Sequence, residues 1–139
     1  MKKIIAVLLL VASTNSLAKN GAPFWYPVVT DSGGTTAYVD IANARTFGSK
    51  HKIWLLVNFA TPHISNLPNK VEYFSELFRQ DYYCEQDIWI DTEVYQYTSQ
   101  NANGVLVNSE IIPLIRQKAE RASPHSAEER IINYVCSLN

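Results

Sequence analysis

Short alternating runs of apolar and polar residues, each closed by turn residues, dominate the first two thirds of this chain. A period of two sends successive side chains to opposite faces of a strand, so the pattern predicts antiparallel β structure. Residues 24–30 form the first run, and Asp31-Ser32-Gly33-Gly34 closes it as a hairpin turn. Residues 35–41 form the second, with Ala37, Val39 and Ile41 on one face and Thr36, Tyr38 and Asp40 on the other. After Gly48-Ser49-Lys50 comes residues 53–59, whose Ile53, Leu55, Val57 and Phe59 share one face while Trp54 and Leu56 occupy the other. A strand apolar on both faces belongs in the middle of a sheet, covered on both sides. Residues 61–69 carry Pro62 and Pro68 and read as a loop.

Residues 71–83 fit two periods. Val71, Phe74, Leu77, Phe78 and Tyr82 have helical spacing, yet the second half also alternates as a strand would. Residues 88–98 are a clearer strand, with Trp89, Asp91, Glu93, Tyr95 and Tyr97 on one face. Asn101-Ala102-Asn103-Gly104 is a turn, and its Asn-Gly step predicts a hairpin returning through residues 105–108. The last third changes period. Residues 111–122 are expected to form a short helix, with Pro113 confined to its first turn. A break at Ser123-Pro124-His125 follows. Ser126 and Glu129 then have capping-box spacing, the hydroxyl of Ser126 accepting from the Glu129 amide while the Glu129 carboxylate returns to Ser126. Ala127, Ile131, Val135 and Leu138 make the apolar stripe of a terminal helix, with Tyr134 and Cys136 beside it.

The start of the chain changes the setting of this domain. Met1-Lys2-Lys3 is positive, residues 4–12 are apolar almost without a break, and Ser16-Leu17-Ala18 supplies small residues before a cleavage point between Ala18 and Lys19. Residues 1–18 therefore read as a secretory signal peptide and residues 19–139 as one domain of 121 residues. The apolar run is shorter than the roughly 20 residues that span a bilayer, and no transmembrane segment is expected elsewhere. In an exported chain two cysteines imply one structural disulfide, here Cys84 to Cys136, stapling the terminal helix to the middle of the chain. Loss of Lys2 and Lys3 takes the formal net charge from −1 to −3. That balance argues against a nucleic-acid partner.

Chemistry is sparse. His51, His63 and His125 stand alone in expected turns or loops, none with metal-ligand spacing, and both cysteines are committed. Ser123, Ser126 and Ser137 lack a nucleophile motif, and Gly33-Gly34 lacks the rest of a phosphate cradle. Asp91 and Glu93 share a strand face, which an ordinary solvated sheet face explains. The chain is expected to be no enzyme and to need no cofactor and no metal. Binding is the better class. Trp89, Tyr95, Tyr97 and Trp54 form the candidate binding face if the terminal helix covers the opposite side, because aromatics rimmed by charge are common in protein interfaces. A homodimer pairing two such faces would cover Trp54 and Leu56. Lys50, Lys52 and Lys70 are candidate contacts for an acidic partner, though no basic cluster forms.

Several pieces together resemble the surface-adhesin protein E family of Gram-negative bacteria. They are Ala37-Tyr38-Val39-Asp40-Ile41, Ile53-Trp54-Leu55-Leu56-Val57-Asn58, a Ser75-containing segment before Cys84, Tyr95 followed by Gly104-Val105-Leu106-Val107-Asn108-Ser109, Ser123-Pro124-His125-Ser126-Ala127-Glu128, and Tyr134-Val135-Cys136. The resemblance implies an α+β fold: a curved antiparallel sheet of about six strands with a C-terminal helix tied to one face by the disulfide. It also implies that residues 71–83 are a strand. In this chain Tyr83 stands where the family tends to have an acidic residue, and His125 where it usually has glycine. By function the resemblance implies a non-catalytic module exported to the periplasm or outer surface, where it binds host extracellular-matrix or serum proteins. The alternative is a periplasmic accessory module that binds an envelope protein or small ligand and never meets a host.

Overall fold

The structure, a computed structural model, describes residues 21–138; the expected signal segment and its Ala18–Lys19 junction lie outside the described residues. Among the described residues eight strands form one antiparallel sheet. Six make a continuous path in the order β1 (Trp25–Thr30), β2 (Thr36–Asp40), β4 (Lys50–Ile64), β5 (Glu72–Tyr83), β6 (Ile88–Ser99) and β7 (Asn103–Ile111). Two short strands, β3 (Arg45–Phe47) and β8 (Ala119–Glu120), pair along β4 and β6 and raise the count from the expected six to eight. The one α-helix among the described residues, α1 (Ala127–Cys136), packs on one side. We call that the helix side and the other the open side.

Local chemistry explains most of the turns. Asp31 Oδ1 accepts from the amides of Gly33 and Thr35 at 2.8 and 2.9 Å, and Gly34 takes a positive φ of 89° that suits glycine. At the β6–β7 turn Gly104 has φ 80°, and a Cβ there would come within 2.5 Å of Thr98 Oγ1. The alternation on β2 and β4 places Ala37, Val39, Ile53 and Leu55 on the helix side, where they meet Tyr82 of β5 and Ile131, Ile132 and Val135 of α1. Val39, Ile53 and Val135 are fully sealed from solvent. Cys84 and Cys136 are bonded, joining the end of β5 to the last residue of the helix.

Three expected elements fold differently. β4 runs on to Ile64, through residues expected to be loop: a bulge between Asn58 and His63 takes up the extra chain, and Pro62 lies inside it where no ladder bond needs its missing N–H. The helix expected over residues 111–122 is absent. The 3-10 turn Leu114–Arg116 and then β8 replace it, because Ile112 N–H bonds Thr92 O at 2.9 Å and Ala119 pairs with Ile90 on β6. At the α1 N-terminus Ser126 Oγ accepts from Glu129 N–H at 3.1 Å, but the Glu129 carboxylate reaches the amide of His125, not Ser126, at 2.6 Å. His125 has φ 63°, the left-handed conformation that suits a glycine, and this turns its amide toward Glu129.

Candidate functional site: the open side of the sheet

On the open side, Trp25, Tyr38, Trp54, Leu77, Tyr95 and Tyr97 are all half-buried, with no helix above them. Their placement follows from pairing. Tyr38 faces Leu56 across β2–β4, Leu56 faces Leu77 across β4–β5, and Leu77 faces Tyr95 across β5–β6. Leu56, at the centre of this row, is 1% exposed, so its neighbours within the sheet suffice to cover it. The Trp54 and Tyr95 rings lie 6.1 Å apart at 48°, and the Arg79 guanidinium sits 4.8 Å from the Trp54 ring centroid. Glu93 Oε2 accepts from the Tyr95 hydroxyl at 2.8 Å, and this hydrogen bond, with some burial, raises the Tyr95 pKa above its ordinary value.

Two buried polar knots bracket the aromatic row. At one end, buried Asp40 takes the amides of Phe24, Ala42 and Asn43 on Oδ1 and the Asn43 side-chain amide on Oδ2 at 2.6 Å. Asn43 in turn donates to Gly21 O at 3.0 Å, fixing the incoming chain beside Trp25. At the other end Asn58 exchanges two hydrogen bonds with Asn101, each 2.7 Å, while Ser75 Oγ donates to Ser99 O and accepts from Ala102 N–H. These bonds hold the β6–β7 turn against the sheet. Buried polar groups that are fully satisfied fix geometry, so the row between them is rigidly presented.

The residues expected to form one binding face divide between two sides. Leu77 faces Tyr95 and Ser75 faces Tyr97, which puts both tyrosines with Trp54 on the open side. Trp89 instead faces Tyr82 and stacks with it at 6.3 Å, on the helix side. The cause is a bulge: Arg79 pairs with Glu93 but Gln80 pairs with Asp91, so Thr92 is the extra residue and the alternation reverses there. Asp91 and Glu93, expected to share a face, are separated by the same reversal. Lys50 and Lys52 are both engaged with Asp81, at 3.2 and 3.7 Å, while Lys70 lies in an exposed turn. Two histidines expected in solvated loops belong to β4: His51 is buried against Thr46 Oγ1 at 3.1 Å, and His63 stacks on Phe59 at 3.8 Å. Among the described residues no three His, Cys, Asp or Glu side chains converge to hold a metal ion.

A second apolar surface escaped the sequence reading. Leu114 and Ile115 are 85% and 95% exposed beyond the end of β7, with Ile111 beside them and an Arg116–Glu110 ion pair of 2.6 Å alongside. Their helical spacing hid this, because periodicity implies a buried stripe only if the helix forms.

Comparison with known proteins agrees with this architecture. The chain is similar in structure to protein E from non-typeable Haemophilus influenzae, with a TM-score of 0.55 at 11% identity over 84% of this chain and 83% of that one. At that identity the likeness concerns the fold alone. No curated protein sequence matches the chain. The sequence profile described as surface-adhesin protein E matches residues 25–137, nearly the whole of the described domain. The chain belongs to the surface-adhesin protein E family.

Proposed function

We propose that the chain is an exported, surface-displayed, non-catalytic binding module of the adhesin E type, and that it grips a protein partner with the open side of its sheet. The observation that carries the reading is the row of half-buried aromatics held between two polar knots. Tyrosine and tryptophan on a rigid surface lose little entropy on binding and bury large areas, which is why they recur at the centres of protein interfaces. Arg79 and Glu93 within the row add charge that can be matched by a partner. Residues 1–18 would direct export, and the Cys84–Cys136 bond suits an oxidising compartment. The partner class is an extracellular-matrix or serum protein, in keeping with the family name; a second copy meeting the same side would form the homodimer.

Protease shaving of intact cells tests display directly. Digestion of the protein while a periplasmic marker survives supports the adhesin reading. Full protection until the outer membrane is breached would instead assign it to the periplasm, as an accessory module for an envelope protein or small ligand.

A further inference from the structure

The helix covers only part of its own side of the sheet. Beside it a cleft of about 360 Å³ opens between Glu128 and Ile131 of α1 and the helix-side residues of β4, β5 and β6. Its volume lies within the range of pockets that enclose small groups. Leu55, Val57, Phe78 and Trp89 give it an apolar and aromatic wall, whereas Glu76, Asp91 and, at the rim, Glu128 give it negative charge. Among the described residues none of the three carboxylates has a Lys, Arg or His nitrogen within 4 Å.

The carboxylates are held in place. The Tyr82 hydroxyl donates to Gln80 Oε1 at 2.7 Å, and Gln80 Nε2 donates to Asp91 Oδ1 at 2.6 Å, with Tyr82 and Gln80 both buried. One Asp91 oxygen is thereby tied to the sheet. Glu76 Oε1 is approached by Gln96 Nε2 at 3.5 Å. Burying two carboxylates in one cleft costs free energy. Burial raises the pKa of both Glu76 and Asp91, and the charge of Asp91 raises Glu76 further, against the opposing pull of Tyr73, Gln96 and His63. A cation placed between them would relieve the repulsion of both. Among the described residues no three His, Cys, Asp or Glu side chains converge there to hold a metal ion. An apolar stem carrying a terminal cation fits both the wall and the charge.

We propose that this cleft accepts a lysine or arginine side chain of a partner polypeptide, its stem against Phe78 and Trp89 and its cation between Glu76 and Asp91. Charge complementarity and the aromatic wall carry the assignment, since a cation is attracted both to carboxylates and to an indole face. The site lies on the opposite side of the sheet from the aromatic row, so it stands or falls independently of the open-side reading.

Titration of isotope-labelled protein spanning residues 19–139 by NMR tests it, with the pentapeptides Gly-Ala-Arg-Ala-Gly and Gly-Ala-Lys-Ala-Gly, the citrulline counterpart, and n-butylguanidinium as probes. Saturable shifts at the Trp89 indole N–H are expected with the basic pentapeptides, at least fivefold weaker binding with citrulline, and weaker binding with n-butylguanidinium, which has the cation and stem without the peptide. Asp91→Asn with Glu76→Gln should weaken the basic peptides about tenfold, exposed Glu128→Gln should weaken them less without disturbing the fold, and open-side Trp54→Ala should leave them unchanged. Equal binding of the citrulline and arginine peptides, or binding unaltered in both carboxylate variants, would overturn the proposal. Tighter binding of n-butylguanidinium than of either basic pentapeptide would overturn the polypeptide occupant.

Discussion

The two sides of the sheet use apolar residues for different ends. On the helix side Val39, Ile53, Ile132 and Val135 are sealed, and the Cys84–Cys136 bond fastens their cover. On the open side Trp54, Leu77, Tyr95 and Tyr97 are left half-buried, with only Leu56 fully withdrawn. Sealed side chains contribute to stability in proportion to the area removed from water. On the proposed reading, half-buried aromatics hold that free energy in reserve for a partner. The same strand, β4, serves both: Ile53 and Leu55 point into the core while Trp54 looks out. With the open side as the proposed binding face, the contrast teaches that core stability and open-side binding can be altered separately in this fold.

The sharpest way to break that separation is to cut the staple. Replacing Cys84 and Cys136 with serine frees a 52-residue separation, and the chain-entropy account puts the loss at about 4 kcal/mol. The melting temperature should fall by about 10–20 °C in calorimetry of the purified domain. Next comes the helix itself. Ile132→Ala leaves a hole in the sealed layer and should cost about 3 kcal/mol in urea unfolding, with partner binding retained in the folded fraction. On the open side the balance should reverse: Tyr95→Ala with Tyr97→Ala should cost about 1 kcal/mol of stability yet weaken partner binding tenfold or more by surface plasmon resonance.

The smallest effect is one of pH. Glu76 and Asp91, in the cleft beside the helix, have pKa values raised above the ordinary range chiefly by burial. The folded protein therefore holds more protons than the unfolded chain between the ordinary and the raised values, and their contribution to stability falls as pH rises through that window. Acidifying through that window should raise their contribution to the melting temperature, and Glu76→Gln with Asp91→Asn should flatten that slope.

How much of this was legible in the sequence follows from how local each signal is. Alternation marked β2, the middle of β4 and β6 but left β5 open between helix and strand until the family resemblance pointed to a strand, while the Asp31 and Gly104 turns were readable because single residues dictate them. The cysteine pair and the Ser126 cap were equally plain. The Thr92 bulge was not, since it is fixed by which residues of β5 face β6, and it moved Trp89 away from Tyr95 and Tyr97. The stretch around Leu114 misled for a related reason: its apolar spacing is helical, but hydrogen bonds to β6 claim its two ends. The knots at Asp40–Asn43 and Asn58–Ser75–Asn101 join residues up to 43 apart in the chain, and no short-range pattern announces them.

One measurement reaches the central claim most directly: binding of the protein spanning residues 19–139 and its Trp54→Ala, Tyr95→Ala, Tyr97→Ala triple variant to immobilised extracellular-matrix and serum proteins, with calorimetry on the same samples. The account predicts wild-type binding to at least one of them, and a variant that keeps the disulfide and a cooperative unfolding transition while losing tenfold or more in affinity. Unchanged affinity in the folded variant, or no wild-type binding to any of these proteins, would contradict it.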